Sequence, residues 1–202
     1  SGASDPDADP DAATAEAARE LDVPIRFHAA QSVGELRQMA AQYGRHSLGV
    51  LDDHRLLGPR TLIAHCWAVN GHSQVGAGDG TDHLALLVER SAHVVYCPMA
   101  SSRYGMVLES FDEYLRRGVS MALGTDTFPP DMIRVMESAS SQARLLARRH
   151  EAGQAPDLLR AATLGGAAAL GRTDLGRIAP GAQADLVVVD LGGFSTGVVA
   201  DP

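Results

Sequence analysis

Three side chains able to bind a metal or carry a proton stand at the ends of apolar runs. His28 follows IRF, His65 follows TLIA and Asp126 follows MALGT. The steps from His28 to His65 to Cys97 to Asp126 are 37, 32 and 29 residues, a regular βα period. In a parallel βα sheet the strands point the same way, so their C-terminal ends gather on one face. Two imidazoles and a carboxylate meeting there suit zinc or a similar divalent ion. Such an ion lowers the pKa of bound water and supplies hydroxide at neutral pH. One histidine at a strand end is more often a structural hydrogen-bonding group; three chemistry-bearing ends in register favour a site. His46, His54, His72, His83, His93 and His150 fall in loops, in helices or at a strand start and read as surface or packing residues.

The elements that must position these groups are legible from pattern. A helix is expected through DAATAEAARELD, then a strand in PIRFHAA opened by Pro24. SVGELRQMAAQYG reads as a helix, with Ser32 as N-cap, Glu35 three residues on and Gly44 as the stop. TLIAHC is a second strand and TDHLALLVERS a helix capped by Thr81 or Asp82. HVVYCP, ESFDEYLRRG and VSMALGTD follow as strand, helix and strand. The alternation predicts right-handed βα units on a parallel sheet, in either a barrel or a doubly wound arrangement. A long helix is expected from about Asp131 to Glu151, and PDLLRAATLGGAAALG continues the chain. GRIAPGAQADLVVVDLGG changes character, with turn residues around one β-branched run, and reads as a strand of a small separate β layer.

Composition narrows the function. The chain has 202 residues, 45% hydrophobic, 21% charged and only 4% aromatic, so its core must be built from Leu, Val, Ile and Ala. A net charge of -8 offers no basic stripe for phosphates, which argues against nucleic acid. No stretch approaches the length of apolar chain that spans a bilayer, and no signal-peptide pattern opens the sequence; a cytoplasmic setting is the default expectation. All 17 basic residues are arginine, which removes Schiff-base chemistry by this chain. Cys66 and Cys97 each end an apolar run without a CxxC partner and read as buried free thiols. The missing CxxC also excludes the zinc deaminases with an H-x-E and P-C-x-x-C signature. GAGDG at 76–80 does not follow a strand, so a dinucleotide or P-loop reading fails.

Over roughly residues 12 to 202 the chain resembles the amidohydrolase superfamily, in its aminohydrolase branch with triazine chlorohydrolases and guanine and cytosine deaminases. The resemblance rests on FHAAQ, GPRTLIAHC, VVYCPMASS and LGTDTFPPDM, and on the tail ATLGGAAALGRTDLGRIAPGAQADLVVVDL. It implies strands five to eight, with their helices, of a (β/α)8 TIM-type barrel over residues 11–172. A flexible acidic segment would precede them at 1–10, and the start of a small β-sandwich would follow at 173–202. By the resemblance, His28 is the strand-five metal ligand and Asp126 the strand-eight ligand that also takes a proton from water. His65 would orient that water or polarise the substrate. Ser101, Ser102, Arg103 and Thr127 would line the substrate pocket. The metal implied is zinc, with iron as the alternative.

Three departures accompany it. Gln31 stands where many members have a glutamate that shuttles protons, and it cannot titrate; Glu35 is close in sequence but fits a cap role better. Tyr96 stands where a histidine is common. No H-x-H pair occurs, and strands one to four do not fit before Pro24. Half a barrel would expose two sheet edges and an apolar inner face. The expectation is therefore a piece of a longer product, a second chain supplying the other half, or an open remnant fold, with homo-oligomerisation expected. Hydrolysis of a C–N bond on a small nitrogen heterocycle is the leading function. A non-catalytic assembly subunit and hydrolytic dechlorination of a triazine are the alternatives.

Overall fold

A computed structural model describes residues 10–190. Four strands form one fully parallel sheet in sequence order: β1 (Ile25–Ala29), β2 (Thr61–His65), β3 (His93–Tyr96) and β4 (Ser120–Leu123). Each is followed by helix on the same side. The helices are α1 (Pro10–Glu20), α2 (Val33–Tyr43), α3 (Ser47–Asp53), α4 (His83–Arg90), α5 (Pro98–Arg103), α6 (Phe111–Arg116) and α7 (Met132–Ala147). After them come α8 (Ala155–Arg160), a π-helical turn at Ala161–Gly165 and α9 (Gly166–Ala169). Among the described residues this is half of a TIM-type barrel.

The predicted caps form. The Ser32 hydroxyl accepts from Glu35 N–H at 3.0 Å, and Gly44 ends α2 at φ 67°, a conformation that suits residues without a Cβ. Asp82, one of the two expected candidates, caps α4; Ser110 and Asp131, not anticipated as caps, do the same for α6 and α7. Helix α7 ends at Ala147, four residues short of the expected Glu151, because Arg148 turns into the left-handed region. Helices α3 and α5 were not signalled by the sequence. Both are a turn or two long, shorter than an apolar periodicity can register.

The two faces of the sheet differ. The helix-covered face carries the main core, in which Ile63, Val94, Tyr96 and Met121 pack with Leu87, Phe111 and Val135. On the other face Leu62, Val95 and Ala122 meet little beyond Ala169 of α9. An open trough of about 540 Å³ runs along this second face past Arg26, His28 and Ala64. Gly165 allows the π-helical turn to lie against β4, since a Cβ there would overlap the Met121 carbonyl oxygen.

The tail departs from expectation. ADLVVVD takes part in no strand pairing, and Val187 and Val188 are 88% and 94% exposed. A strand needs a neighbour for its backbone groups, and the described residues provide none. Residues 191–202, the rest of the expected β-sandwich segment, lie outside the described residues, as do residues 1–9 of the expected acidic segment. Pro10, the last residue assigned to that segment, already opens α1.

Candidate metal centre

The strand ends converge as the spacing predicts. His28 is the penultimate residue of β1, His65 the last of β2, and Asp126 lies three residues beyond β4. One ligand atom from each falls within 4.8 Å of the others, a separation that a single divalent ion can bridge. The His28 and His65 rings are 5.2 Å apart at 60°, and His65 Nε2 is 3.5 Å from Asp126 Oδ2. This donor set fits a zinc-type ion. Each of the three residues offers a donor atom to it.

The backbone at these strand ends is unusual. Ala30, His65, Cys66 and Asp126 have φ of 51°, 69°, 45° and 46°. Non-glycine residues at positive φ are uncommon, and they persist where surrounding structure over-determines them, often at functional sites. The turn after β1 is held by Glu35, whose carboxylate accepts from Ala30 N–H and Gln31 N–H at 2.9 Å each and from the Ser47 hydroxyl at 2.5 Å. Glu35 is thus a cap for the strand–helix turn, as its sequence position indicates, with its acceptors committed to that role.

Burial lowers the pKa of His65, against the opposing pull of Asp126, so its ring is neutral and offers a lone pair at pH 7. Cys66 and Cys97 are buried free thiols, as expected, and burial pushes both up to about 12. At that value neither is a thiolate at neutral pH. His46, His72 and His83 are buried packing residues with backbone partners. His93 bridges the Ser120 hydroxyl and the Pro59 carbonyl, and His150 is exposed.

A cavity of about 340 Å³ opens on His28, His65 and Asp126, and Gln31 and Ser101 share its wall with them. Of the four predicted substrate contacts only Ser101 lines it. The Ser102 hydroxyl bonds the Met99 carbonyl within α5 at 3.1 Å. Arg103 donates to Thr127 Oγ1 at 2.5 Å and to the Phe128 carbonyl at 3.1 Å, so this pair closes on itself beside the cavity. Short helix α5 decides the outcome, because it turns successive side chains about 100° apart. Ala100, Tyr104 and Met106 form an apolar wall that was not anticipated, and Ser32 adds its cap hydroxyl. Apart from the aromatic at 104, nothing in these residue types signals a pocket. Tyr96 is buried on the helix side, where its hydroxyl donates to Gln142 Oε1, and does not reach the cavity.

The sequence profile of the amidohydrolase family matches residues 5–201. A 5-methylthioadenosine/S-adenosylhomocysteine deaminase from Natronomonas pharaonis is 34% identical over 178 residues, 86% of this chain and 39% of that protein. A 5'-deoxyadenosine deaminase from Methanothermobacter thermautotrophicus is 32% identical over 88% of this chain and 40% of its own length. Among solved structures, a zinc-bound adenosine deaminase from Xanthomonas campestris superposes with a TM-score of 0.82 at 31% identity, covering 95% of this chain and 43% of that one. An atrazine chlorohydrolase from Arthrobacter aurescens complexed with zinc shares the fold, with a TM-score of 0.80 at 24% identity, covering 95% and 41%. The chain spans about two fifths of the curated relatives it matches. With this agreement over nearly its whole length, the chain belongs to the amidohydrolase family.

Proposed function

We propose that the protein carrying this chain is a metal-dependent aminohydrolase that replaces an amino group on a nitrogen heterocycle with oxygen, releasing ammonia or an amine. Aminopurine nucleosides are the first substrates to test, given the names of the similar deaminases. The observation that carries the proposal is the convergence of His28, His65 and Asp126 within 4.8 Å at the floor of a cavity. A divalent ion, zinc in our reading, would supply Lewis acidity that makes water nucleophilic at neutral pH.

His28 and Asp126 would hold the ion, with His65 beside them. Asp126 has a second role, accepting the proton that water loses on attack. Neutral His65, 3.5 Å from Asp126, is placed to steady that proton and the oxygen that replaces the amino group. Gln31 can donate or accept a hydrogen bond from the cavity wall but cannot carry a proton.

The purified protein is expected to hold about one divalent ion per site and to release ammonia from at least one aminated purine, pyrimidine or triazine. Asp126→Ala should lower metal content and reduce turnover by more than about 100-fold. Metal-free protein whose behaviour is unchanged by Asp126→Ala would reject the enzyme. It would favour an assembly subunit, a reading that Gln31 in place of a titratable group supports.

A further inference from the structure

We propose that Arg103 is a positioning residue that sets the aim of Asp126 by bracing the loop after β4 against α5; the inference rests on the metal-dependent function proposed above. Asp126 lies in segment 125–130, between the end of β4 and the α7 cap at Asp131. Little burial holds this segment, since Asp126, Phe128, Pro129 and Pro130 are all exposed. Just before it, Gly124 N–H donates to the Tyr96 carbonyl at 3.0 Å, the last backbone tie to the sheet. Beyond that point, among the described residues, two hydrogen bonds join the segment to another element, and both come from Arg103. One reaches Thr127 Oγ1 at 2.5 Å and the other the Phe128 carbonyl at 3.1 Å.

The brace has a firm base. Gln142 of α7 donates to the Pro98 carbonyl at 3.2 Å and accepts from the Tyr96 hydroxyl, which ties the start of α5 to both α7 and β3. At its other end α5 is closed by Tyr104 N–H and Met106 N–H, which both donate to the Ser101 carbonyl. Arg103, the last residue of α5, therefore projects from a fixed helix onto a thinly packed loop.

Its two acceptors belong to the two residues that follow Asp126, whose φ of 46° is a conformation that persists where surrounding structure over-determines it. A guanidinium holds two acceptors in a rigid fork, whereas an ammonium is a point charge on a flexible stem. Both terminal nitrogens of Arg103 are engaged in this way, so it acts through Asp126 and not by touching a substrate. Metal sites are sensitive to such support: donors must sit within a few tenths of an ångström of their place, and groups that orient them change affinity by about 10- to 100-fold.

The test is the affinity for zinc, measured without substrate by calorimetry or chelator competition, of wild type, Arg103→Lys, Thr127→Val and the double variant. Arg103→Lys keeps the charge but loses the fork, and zinc should bind about 10-fold or more weakly. Thr127→Val keeps the shape but removes one acceptor, so a smaller loss is expected, and the double variant should lose less than the sum. The visible spectrum of the cobalt-loaded protein, which reports donor geometry, should change in each. Metal-free melting temperatures should agree with wild type, because the bonds removed are at the surface; were Arg103→Lys not to fold, Thr127→Val carries the same comparison. Turnover, where measured, should fall in kcat more than it rises in KM. A merely structural Arg103 would instead lower the metal-free melting temperature and leave zinc affinity and spectrum as they were. A substrate-binding Arg103 would raise KM with zinc affinity unchanged. Either result overturns the inference and leaves the metal site standing, whereas wild type that binds no divalent ion overturns both.

Discussion

His46 and His83 stack with ring centroids 3.8 Å apart, away from the metal ligands. Leu48 N–H donates to His46 Nδ1, so His46 Nε2 carries the proton given to the Ala68 carbonyl. Asn70 N–H likewise donates to His83 Nδ1, and both rings are bound in their neutral form. Burial lowers both pKa values, that of His83 to about 4, against the opposing carboxylates of Asp79, Glu35 and Asp82. The unfolded chain would take up these protons near pH 6.5 while the folded one resists. Stability contributed by the pair is therefore complete above about pH 6.5, falls as the pH drops toward 4, and levels off below. For His83 the loss is on the order of 2 kcal/mol after allowing for screening. Urea denaturation midpoints at pH 7.5 and 4.5 should show this fall. His83→Asn, which keeps an acceptor without a titrating ring, should reduce the difference.

The strand–turn–helix from β1 to α2 carries His28 of the candidate metal site. It was also the best marked in sequence, because FHAAQSVGE contains the strand-end histidine, the Ser32 cap and Glu35 in one run. Local chemistry of that kind survives tertiary context. Glu35→Ala would strip acceptors from Ala30 N–H, Gln31 N–H and the Ser47 hydroxyl, at a cost of about 2–3 kcal/mol. The turn that aims His28 would loosen with it. A lower denaturation midpoint together with weaker zinc binding is the expected result, and Glu35→Gln should recover part of both. The opposite case is α5. Six residues beginning at Pro98 carry too little pattern to announce a helix, so the directions of Ser101, Ser102 and Arg103 could not be anticipated.

Across the molecule, the sheet is finished on one side and open on the other. Strands β1 and β4 are edges among the described residues, and the trough beside Leu62, Val95 and Ala122 has little cover besides α9. Unpaired edges and a contiguous apolar face drive association in water. The 202-residue chain prepared by itself is expected to self-associate at micromolar concentration and to bind a hydrophobic dye. Val95→Glu, on the open face, should weaken both effects, as read by light scattering and fluorescence. Within a protein as long as those relatives, more than twice this length, the same substitution should instead be destabilising, because the face would be packed.

The sequence by itself determined the parallel βα order, the caps of α2 and α4, and the placing of His28, His65 and Asp126 at strand ends. Each of these rests on short-range chemistry or on a period that the chain carries locally. Tertiary structure alone decided that donor atoms of His28, His65 and Asp126 lie within 4.8 Å of one another and that Arg103 turns to Thr127. Among the described residues it also left ADLVVVD without a sheet partner despite its strand composition. A β-branched run states a preference, and only a neighbouring strand can satisfy it, because the backbone bonds of a sheet are made between segments.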